Sequence, residues 1–117
     1  MEDEEGIRIP LAYHLEGLGY EVLNATNGVE TKDILYRIPC GLVITDLRMP
    51  ISGGIDILRI MRVERAVEFG EVPVILMTAR HLDDEIKNLI EATGPNYIVR
   101  KPFNIEDMGL KVTSILG

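Results

Sequence analysis

Residues 42–50 read LVITDLRMP, an apolar run that gives way to a polar, proline-containing loop at Asp46. The run is too short for a helix and rich in β-branched residues, and Pro50 and the glycine pair at 53–54 follow it. This pattern predicts a buried strand of a parallel sheet. Such a strand would deliver one carboxylate, that of Asp46, to the loop at its carboxyl end.

Other polar residues occupy equivalent positions along the chain. Thr78 follows the apolar run 74–77, Lys101 follows a run that begins at residue 97, and the acidic cluster 2–4 precedes the first helical pattern. The carboxyl ends of parallel strands share one edge of the sheet, and ligands bind at that edge. The sequence therefore predicts that carboxylates, a hydroxyl and an ammonium group converge on one pocket.

Composition sets the outer limits of the interpretation. A chain of 117 residues with 46% hydrophobic content suits a single domain, residues 1–117, with one real core. A net charge of −7 argues against direct binding of nucleic acid and permits a cation site. The single cysteine, Cys40, excludes an internal disulfide. No apolar stretch approaches the ~20 residues of a membrane helix, so we expect a cytoplasmic protein without membrane contact.

Apolar periodicity predicts alternating helices and strands in the order α-β-α-β-α-β-α-β-α. That order is typical of a doubly wound α/β domain with a parallel sheet, although such a domain ought to begin with a strand. The five predicted helices are residues 5–18, 29–37, 54–68, 82–93 and a last helix capped by Asn104. The four predicted strands are residues 20–23, 42–45, 72–77 and 97–99.

Four segments, in this order and spacing, resemble the receiver domain of two-component response regulators. They are residues 2–8 with 19–22, residues 43–50 with Gly54, residues 74–79, and residues 101–103. The resemblance implies a flavodoxin-like sheet with strand order 2-1-3-4-5, in which the first strand lies in the middle. Relative to that family the chain is truncated at its amino terminus, because no strand is readable before the acidic cluster.

The residues also predict the chemistry of the site. A carboxylate is a weak nucleophile toward an anionic phosphoryl group, so a divalent cation has to neutralise the charge between them. Mg²⁺, or Mn²⁺ in its place, prefers oxygen ligands. We expect Asp3 and Asp46 to bind the metal directly and Glu2 to bind it through water, and the resemblance adds the backbone carbonyl of Arg48.

Asp46 is the expected phosphoacceptor, with Thr78 and Lys101 binding the new phosphoryl oxygens. Receiver domains usually carry an aromatic residue three positions before the lysine, whose rotation is coupled to the threonine. This chain has Ile98 there, so we expect a switch built from Thr78 and Ile98 to differ from the usual one. The resemblance also favours a cis bond between Lys101 and Pro102.

The first functional hypothesis is therefore a signalling domain, not a turnover enzyme, that accepts a phosphoryl group on Asp46 from a histidine kinase or phosphotransfer protein. The alternative is a binding module of the same fold that works without phosphorylation. A flavin-binding protein is a weaker third class, because acids occupy the place of a phosphate-cradling loop. For the individual residues, Asp46 as a plain loop cap and residues 2–4 as a solvated tail are the competing interpretations.

Three explanations compete for the missing first strand. The chain start is trimmed or misassigned, or another segment or a second subunit fills the gap as a rearranged or swapped homodimer. In the third, the sheet closes up with four strands and leaves Glu2 and Asp3 without a fixed place, which would impair the metal site. We favour truncation as the origin, with rearrangement or dimerisation as its physical result.

Overall fold

Three parallel strands form the sheet of the computed structural model, which describes residues 2, 4–47, 54–79 and 82–117. The strands are β1 (Val43–Asp46), β2 (Val74–Thr78) and β3 (Asn96–Arg100), and they lie in the order β1-β2-β3. All five residues of β2 are buried, which explains why the central strand is a continuous apolar run. The parallel pairing aligns Asp46 with Met77 and Thr78 with Arg100, so the carboxyl ends of the strands share one edge.

Helices cover both faces of the sheet. In chain order they are α1 (Glu5–Gly17), α2 (Gly28–Arg37), α3 (Gly54–Arg59), α4 (Ala66–Phe69), α5 (Asp84–Ala92) and α6 (Ile105–Leu116), with a π-helical turn at Ile60–Glu64 between α3 and α4. The longest, α1, has 13 residues, and no helix in the described ranges is long and apolar enough to cross a bilayer.

The prediction of one helix over residues 54–68 was wrong in detail. The Arg65 amide donates to the Ile60 carbonyl at 2.7 Å, which is a wide, five-residue turn, and Arg65 then leaves helical geometry. The segment is thus divided into α3, the π-turn and α4, and the described chain has six α-helices where five were predicted.

Short polar side chains begin three of the helices. The Oδ1 atoms of Asn27, Asp83 and Asn104 each accept a hydrogen bond from the backbone amide three residues on, at 2.9, 2.9 and 3.1 Å. The predicted cap at Asn104 is confirmed, and this cap fixes the start of α6 directly after the loop that carries Lys101.

Alternate residues of the central strand enter two separate cores. Leu76 packs with residues of α2, α3 and α5, whereas Ile75 and Met77 pack with residues of α1 and α6. A strand buried on both faces between helical layers is the doubly wound arrangement that the sequence predicted. This packing on both faces fixes where the carboxyl edge of the sheet lies relative to the helices.

The predicted strand at residues 20–23 was wrong. Within the described part of the chain, residues 20–25 form neither a helix nor a paired strand. A strand is held by backbone bonds to a neighbour, and the space between this segment and β1 is an open groove. The sheet therefore has three described strands where four were predicted, and it does not close up across the gap.

Candidate functional site

Asp46 lies at the carboxyl end of β1, on the edge of the sheet. The next amide, that of Leu47, donates to the Met77 carbonyl at 2.8 Å, so the ladder to β2 continues past the carboxylate and fixes its backbone. Asp46 is buried, and its Oδ2 accepts a hydrogen bond from Lys101 Nζ at 2.9 Å. The carboxylate is thus bound to a cation inside the protein. An Asp that only capped a loop would instead be exposed to solvent.

Lys101 connects the ends of all three strands. It follows β3 directly, and its backbone amide donates to the Thr78 carbonyl at 2.8 Å. Its Nζ atom lies 2.9 Å from Asp46 Oδ2 and 2.5 Å from Glu2 Oε1. Burial opposes the charge on Lys101, but the hydrogen bonds to Glu2 and Asp46 outweigh it and raise the pKa of the ammonium group.

Glu2 is a buried part of this cluster. Its side chain is 3% exposed, and while Oε1 contacts Lys101, Oε2 accepts the backbone amide of Glu4 at 3.1 Å. The backbone of Glu2 is also held, because Arg8 Nη1 donates to its carbonyl at 3.0 Å and its own amide donates to the Ala25 carbonyl at 3.1 Å. The interpretation of a solvated acidic tail is wrong for Glu2.

Thr78 and Ile98 lie on the same face of the sheet. Thr78 is the last residue of β2 and is 1% exposed. Ile98 pairs with Leu76, and side chains two positions apart on a strand point the same way. Ile98 is 38% exposed; the aromatic neighbour, Tyr97, faces the other side, where Lys111 Nζ lies 5.5 Å from its ring centroid.

The bond between Lys101 and Pro102 is cis, as predicted. Asp3 and Arg48, the two other predicted metal ligands, lie outside the described residues. Glu2, Asp46, Thr78 and Lys101 are described, and all four are at one edge of the sheet.

The described residues offer two carboxylates to a metal. Within the described part of the chain, no group of three or more His, Cys, Asp or Glu is arranged to hold an ion. Nevertheless Glu2 and Asp46 both bind the same ammonium group, so the pocket is already built around positive charge. Mg²⁺ takes one or two carboxylates and fills its remaining positions with water and phosphoryl oxygens. The donor set therefore fits Mg²⁺.

Two supporting residues were not assigned these roles from the sequence. Arg8, on the first turns of α1, holds the Glu2 carbonyl. Gly54 starts α3 so close to the end of β1 that a Cβ atom there would lie 2.9 Å from the Asp46 carbonyl oxygen. The signal for Gly54 was present, as a glycine after a proline-containing loop, but the contact of Arg8 depends on where the fold places Glu2.

Comparison with known proteins agrees with this fold. A family model described as the response regulator receiver domain matches residues 1–113. The chain is 33% identical to chemotaxis protein CheY1 of Helicobacter pylori, covering 100% of this chain and 94% of that protein. It is 33% identical to the phosphate regulon transcriptional regulatory protein PhoB of Rhizobium meliloti, covering 99% of this chain but 50% of that protein.

The chain spans about half the length of the transcriptional regulators that it matches, with 54%, 46% and 50% of three of them covered. Among solved structures, chemotaxis protein CheY4 of Vibrio cholerae has the same fold, with a TM-score of 0.85 at 24% identity over 97% of this chain and 92% of that one. The family model, the curated relatives and the fold agree, and this chain belongs to the family of response regulator receiver domains.

Proposed function

We propose that this chain accepts a phosphoryl group on Asp46 from a histidine kinase or phosphotransfer protein. The observation that carries the proposal is the buried cluster in which Lys101 Nζ binds both Asp46 Oδ2 and Glu2 Oε1. A carboxylate that only stabilised a loop would not need a second carboxylate and a buried cation beside it.

The transfer exchanges one bond to phosphorus for another. A carboxylate oxygen of Asp46 forms the new P–O bond while the P–N bond of the donor's phosphohistidine breaks, and the imidazole nitrogen keeps the electron pair and takes up a proton. Both reactants are anionic, so positioning and charge neutralisation provide most of the rate enhancement. Lys101 supplies one positive charge next to Asp46.

A Mg²⁺ or Mn²⁺ ion would be held by Asp46 and Glu2, together with Asp3 and the backbone carbonyl of Arg48, which lie outside the described residues. Bound there, the ion would neutralise charge between the carboxylate and the incoming phosphoryl group. Arg8 keeps Glu2 in position through its backbone carbonyl.

Lys101 and Thr78 would then bind the new phosphoryl oxygens, because their backbones are joined at the ends of adjacent strands. A hydroxyl and an ammonium group supply the donors that an aspartyl phosphate needs. Movement of Thr78 toward the phosphoryl group would change the packing on the face that Ile98 shares, and this would transmit the signal to a partner protein.

The experiment is intact mass spectrometry after incubation with Mg²⁺ and acetyl phosphate. We expect a single phosphoryl adduct in the parent chain, no adduct in Asp46→Asn, and no adduct when Mg²⁺ is chelated. Asp33→Asn is the matched control, since Asp33 is an exposed carboxylate on α2 that pairs with Arg37, and this variant should keep the adduct.

The alternative function, binding without phosphorylation, is favoured by one specific feature, the aliphatic Ile98 at the usual aromatic switch position. It predicts that the folded protein forms no adduct and that Asp46→Asn binds partners as the parent does. An adduct on Asp46 that changes partner binding would contradict it.

A further inference from the structure

Arg8 is a cation near the end of a helix that disfavours cations. It lies in the first turns of α1, where its amide donates to the Glu4 carbonyl at 2.9 Å. The aligned peptide dipoles leave a positive partial charge at the amino end of a helix, so an acidic residue such as Glu5 stabilises this end and a basic one does not. The stability of α1 therefore does not explain why an arginine lies here.

The side chain of Arg8 instead reaches back to Glu2. Side chains on a helix lean toward its amino end, and the long arginine side chain brings Nη1 to 3.0 Å from the Glu2 carbonyl oxygen. Within the described residues, this is the only side-chain hydrogen bond that Arg8 makes. Its acceptor is a backbone oxygen, so the contact fixes the main chain of Glu2 and does not pair directly with its carboxylate.

Glu2 is held on both sides of its peptide backbone. Its amide donates to the Ala25 carbonyl at 3.1 Å, and its carbonyl accepts the hydrogen bond from Arg8. A glutamate side chain has three rotatable bonds, so the place that its carboxylate reaches depends on where the backbone is held. The Glu2 carboxylate and that of Asp46 bind the same ammonium group, that of Lys101.

We infer that Arg8 is a positioning residue that sets the affinity of this site for a divalent cation. It does so by holding Glu2 where its carboxylate can act together with that of Asp46, and it does not itself touch the ion. The inference rests on the proposed function, of which the cation site is a part. Groups that orient a metal ligand typically change metal affinity 10–100-fold when they are removed.

The charge of Arg8 and its contact with Glu2 would act in opposite directions. The guanidinium group is always charged, and its charge makes the smallest contribution to the lowered pKa of Glu30, after the hydrogen bonds from Thr26. If this charge were the main effect of Arg8 on the site, its removal would strengthen the binding of a second cation. If the contact with Glu2 is the main effect, removal of Arg8 weakens binding.

The test measures Mn²⁺ binding without any phosphodonor, from the electron paramagnetic resonance signal of the free ion. We expect Arg8→Met and Arg8→Lys each to weaken Mn²⁺ binding by about tenfold. Arg8→Lys keeps the charge, but an ammonium group does not reproduce the reach and planar shape of the guanidinium. Arg37→Lys is the matched control, since Arg37 is exposed and pairs with Asp33 on α2, and it should bind Mn²⁺ as the parent does. Urea unfolding without metal checks that each variant is folded.

A second comparison distinguishes positioning of Glu2 from a general structural role. In the Glu2→Gln background, Arg8→Met should not weaken Mn²⁺ binding further, because no carboxylate remains at residue 2 to be positioned. A general structural role would weaken binding by the same factor in both backgrounds.

Three outcomes would overturn the inference. Tighter Mn²⁺ binding in Arg8→Met, with parent-like binding in Arg8→Lys, would show that Arg8 acts through its charge. An equal loss with and without the Glu2 carboxylate would show that Arg8 acts on another part of the molecule. No Mn²⁺ binding by the folded parent would leave no cation site for Arg8 to position.

The failure of this inference is distinguishable from that of the proposed function. A parent chain that binds Mn²⁺ but forms no phosphoryl adduct would overturn the proposed function and leave the role of Arg8 standing. Parent-like Mn²⁺ affinity in both Arg8 variants, together with an adduct on Asp46, would do the reverse.

Discussion

The backbone of Asp46 lies in direct contact with Gly54. A Cβ atom on Gly54 would lie 2.9 Å from the Asp46 carbonyl oxygen and 3.0 Å from Leu47 Cα. Both neighbours are backbone atoms and cannot rotate out of the way. The absence of a side chain at Gly54 therefore lets α3 start against the strand end that carries the candidate phosphoacceptor.

We expect Gly54→Ala to lower the free energy of unfolding by about 1–3 kcal/mol, because α3 or the end of β1 has to shift. Phosphorylation of Asp46 should slow as well. Urea unfolding and the rate of adduct formation measure the two effects. Gly6→Ala is the control: Gly6 lies in α1 with open space around its Cβ position, so this variant should be at least as stable as the parent. Parent-like stability and rate in Gly54→Ala would contradict the close contact.

Removal of the ammonium group of Lys101 should destabilise the folded protein. Lys101→Met would remove the ammonium group that contacts the carboxylates of both Glu2 and Asp46, which are 3% and 6% exposed. We expect a loss of about 3–5 kcal/mol in the free energy of unfolding. Adding Mg²⁺ should restore part of the loss if the two carboxylates can bind the ion.

A double-mutant cycle separates the ion pair from general packing. Glu2→Gln in the Lys101→Met background should recover stability, because one of the two carboxylate charges that faced the ammonium group disappears. The exposed pair Arg37 and Asp33 is the matched control, and Arg37→Met should change stability little. Additive effects of the Lys101 and Glu2 substitutions would show that the pair does not interact energetically.

The raised pKa of Lys101 makes stability depend on pH in the alkaline range. Because the folded-state pKa lies above the unfolded value, the contribution is fully present below about pH 10.4. It is lost as pH rises through the folded pKa. The difference between the urea midpoints of the parent and Lys101→Met should stay constant up to about pH 10 and narrow at higher pH, and taking this difference cancels the titration of the tyrosines. A constant difference would rule out this linkage.

The placement of the site was predictable because the carboxyl ends of parallel strands lie at one edge of the sheet. Apolar runs that end in Asp46, Thr78 and an Arg-Lys pair had to share one edge once the strands were parallel. The side-chain contact between Lys101 and Asp46 is a direct consequence of that order. The burial of Glu2 was open in the sequence, since acidic residues near a terminus are usually solvated.

Two parts of the fold could not be predicted from local pattern. Residues 20–23 alternate like a strand, but alternation does not provide the neighbour that a strand needs, and the adjacent space is the groove. Residues 54–68 have helical periodicity throughout, yet the chain widens into a π-turn at Ile60–Glu64. The position of that turn depends on contacts with distant residues, which periodicity does not contain.

Arg62, within this π-turn, binds the opposite end of the sheet from Asp46. Its guanidinium group donates to the backbone carbonyls of Phe69, Val72, Thr93 and Pro95 and to Asn96 Oδ1, at 2.5–3.2 Å. These acceptors lie at the end of α4, in the loops that lead into β2 and β3, and at the first residue of β3. Burial lowers the pKa of Arg62, and Glu71 partly offsets this.

We expect Arg62→Lys to lower the free energy of unfolding by at least about 2 kcal/mol, because one ammonium group cannot reach acceptors spread over two segments, residues 69–72 and 93–96. The rate of phosphorylation of the folded protein should be unchanged, since Arg62 is remote from the carboxyl edge of the sheet. Arg59→Lys is the control, because Arg59 is exposed and pairs with the exposed carboxylate of Asp56; the stability of this variant should stay within about 0.5 kcal/mol of the parent. Thermal and urea unfolding, with adduct formation measured below the transition, test all three expectations. A slower phosphorylation in fully folded Arg62→Lys would mean that the two ends of the sheet are coupled, and equal stability of the two variants would mean that the guanidinium contacts contribute nothing to the fold.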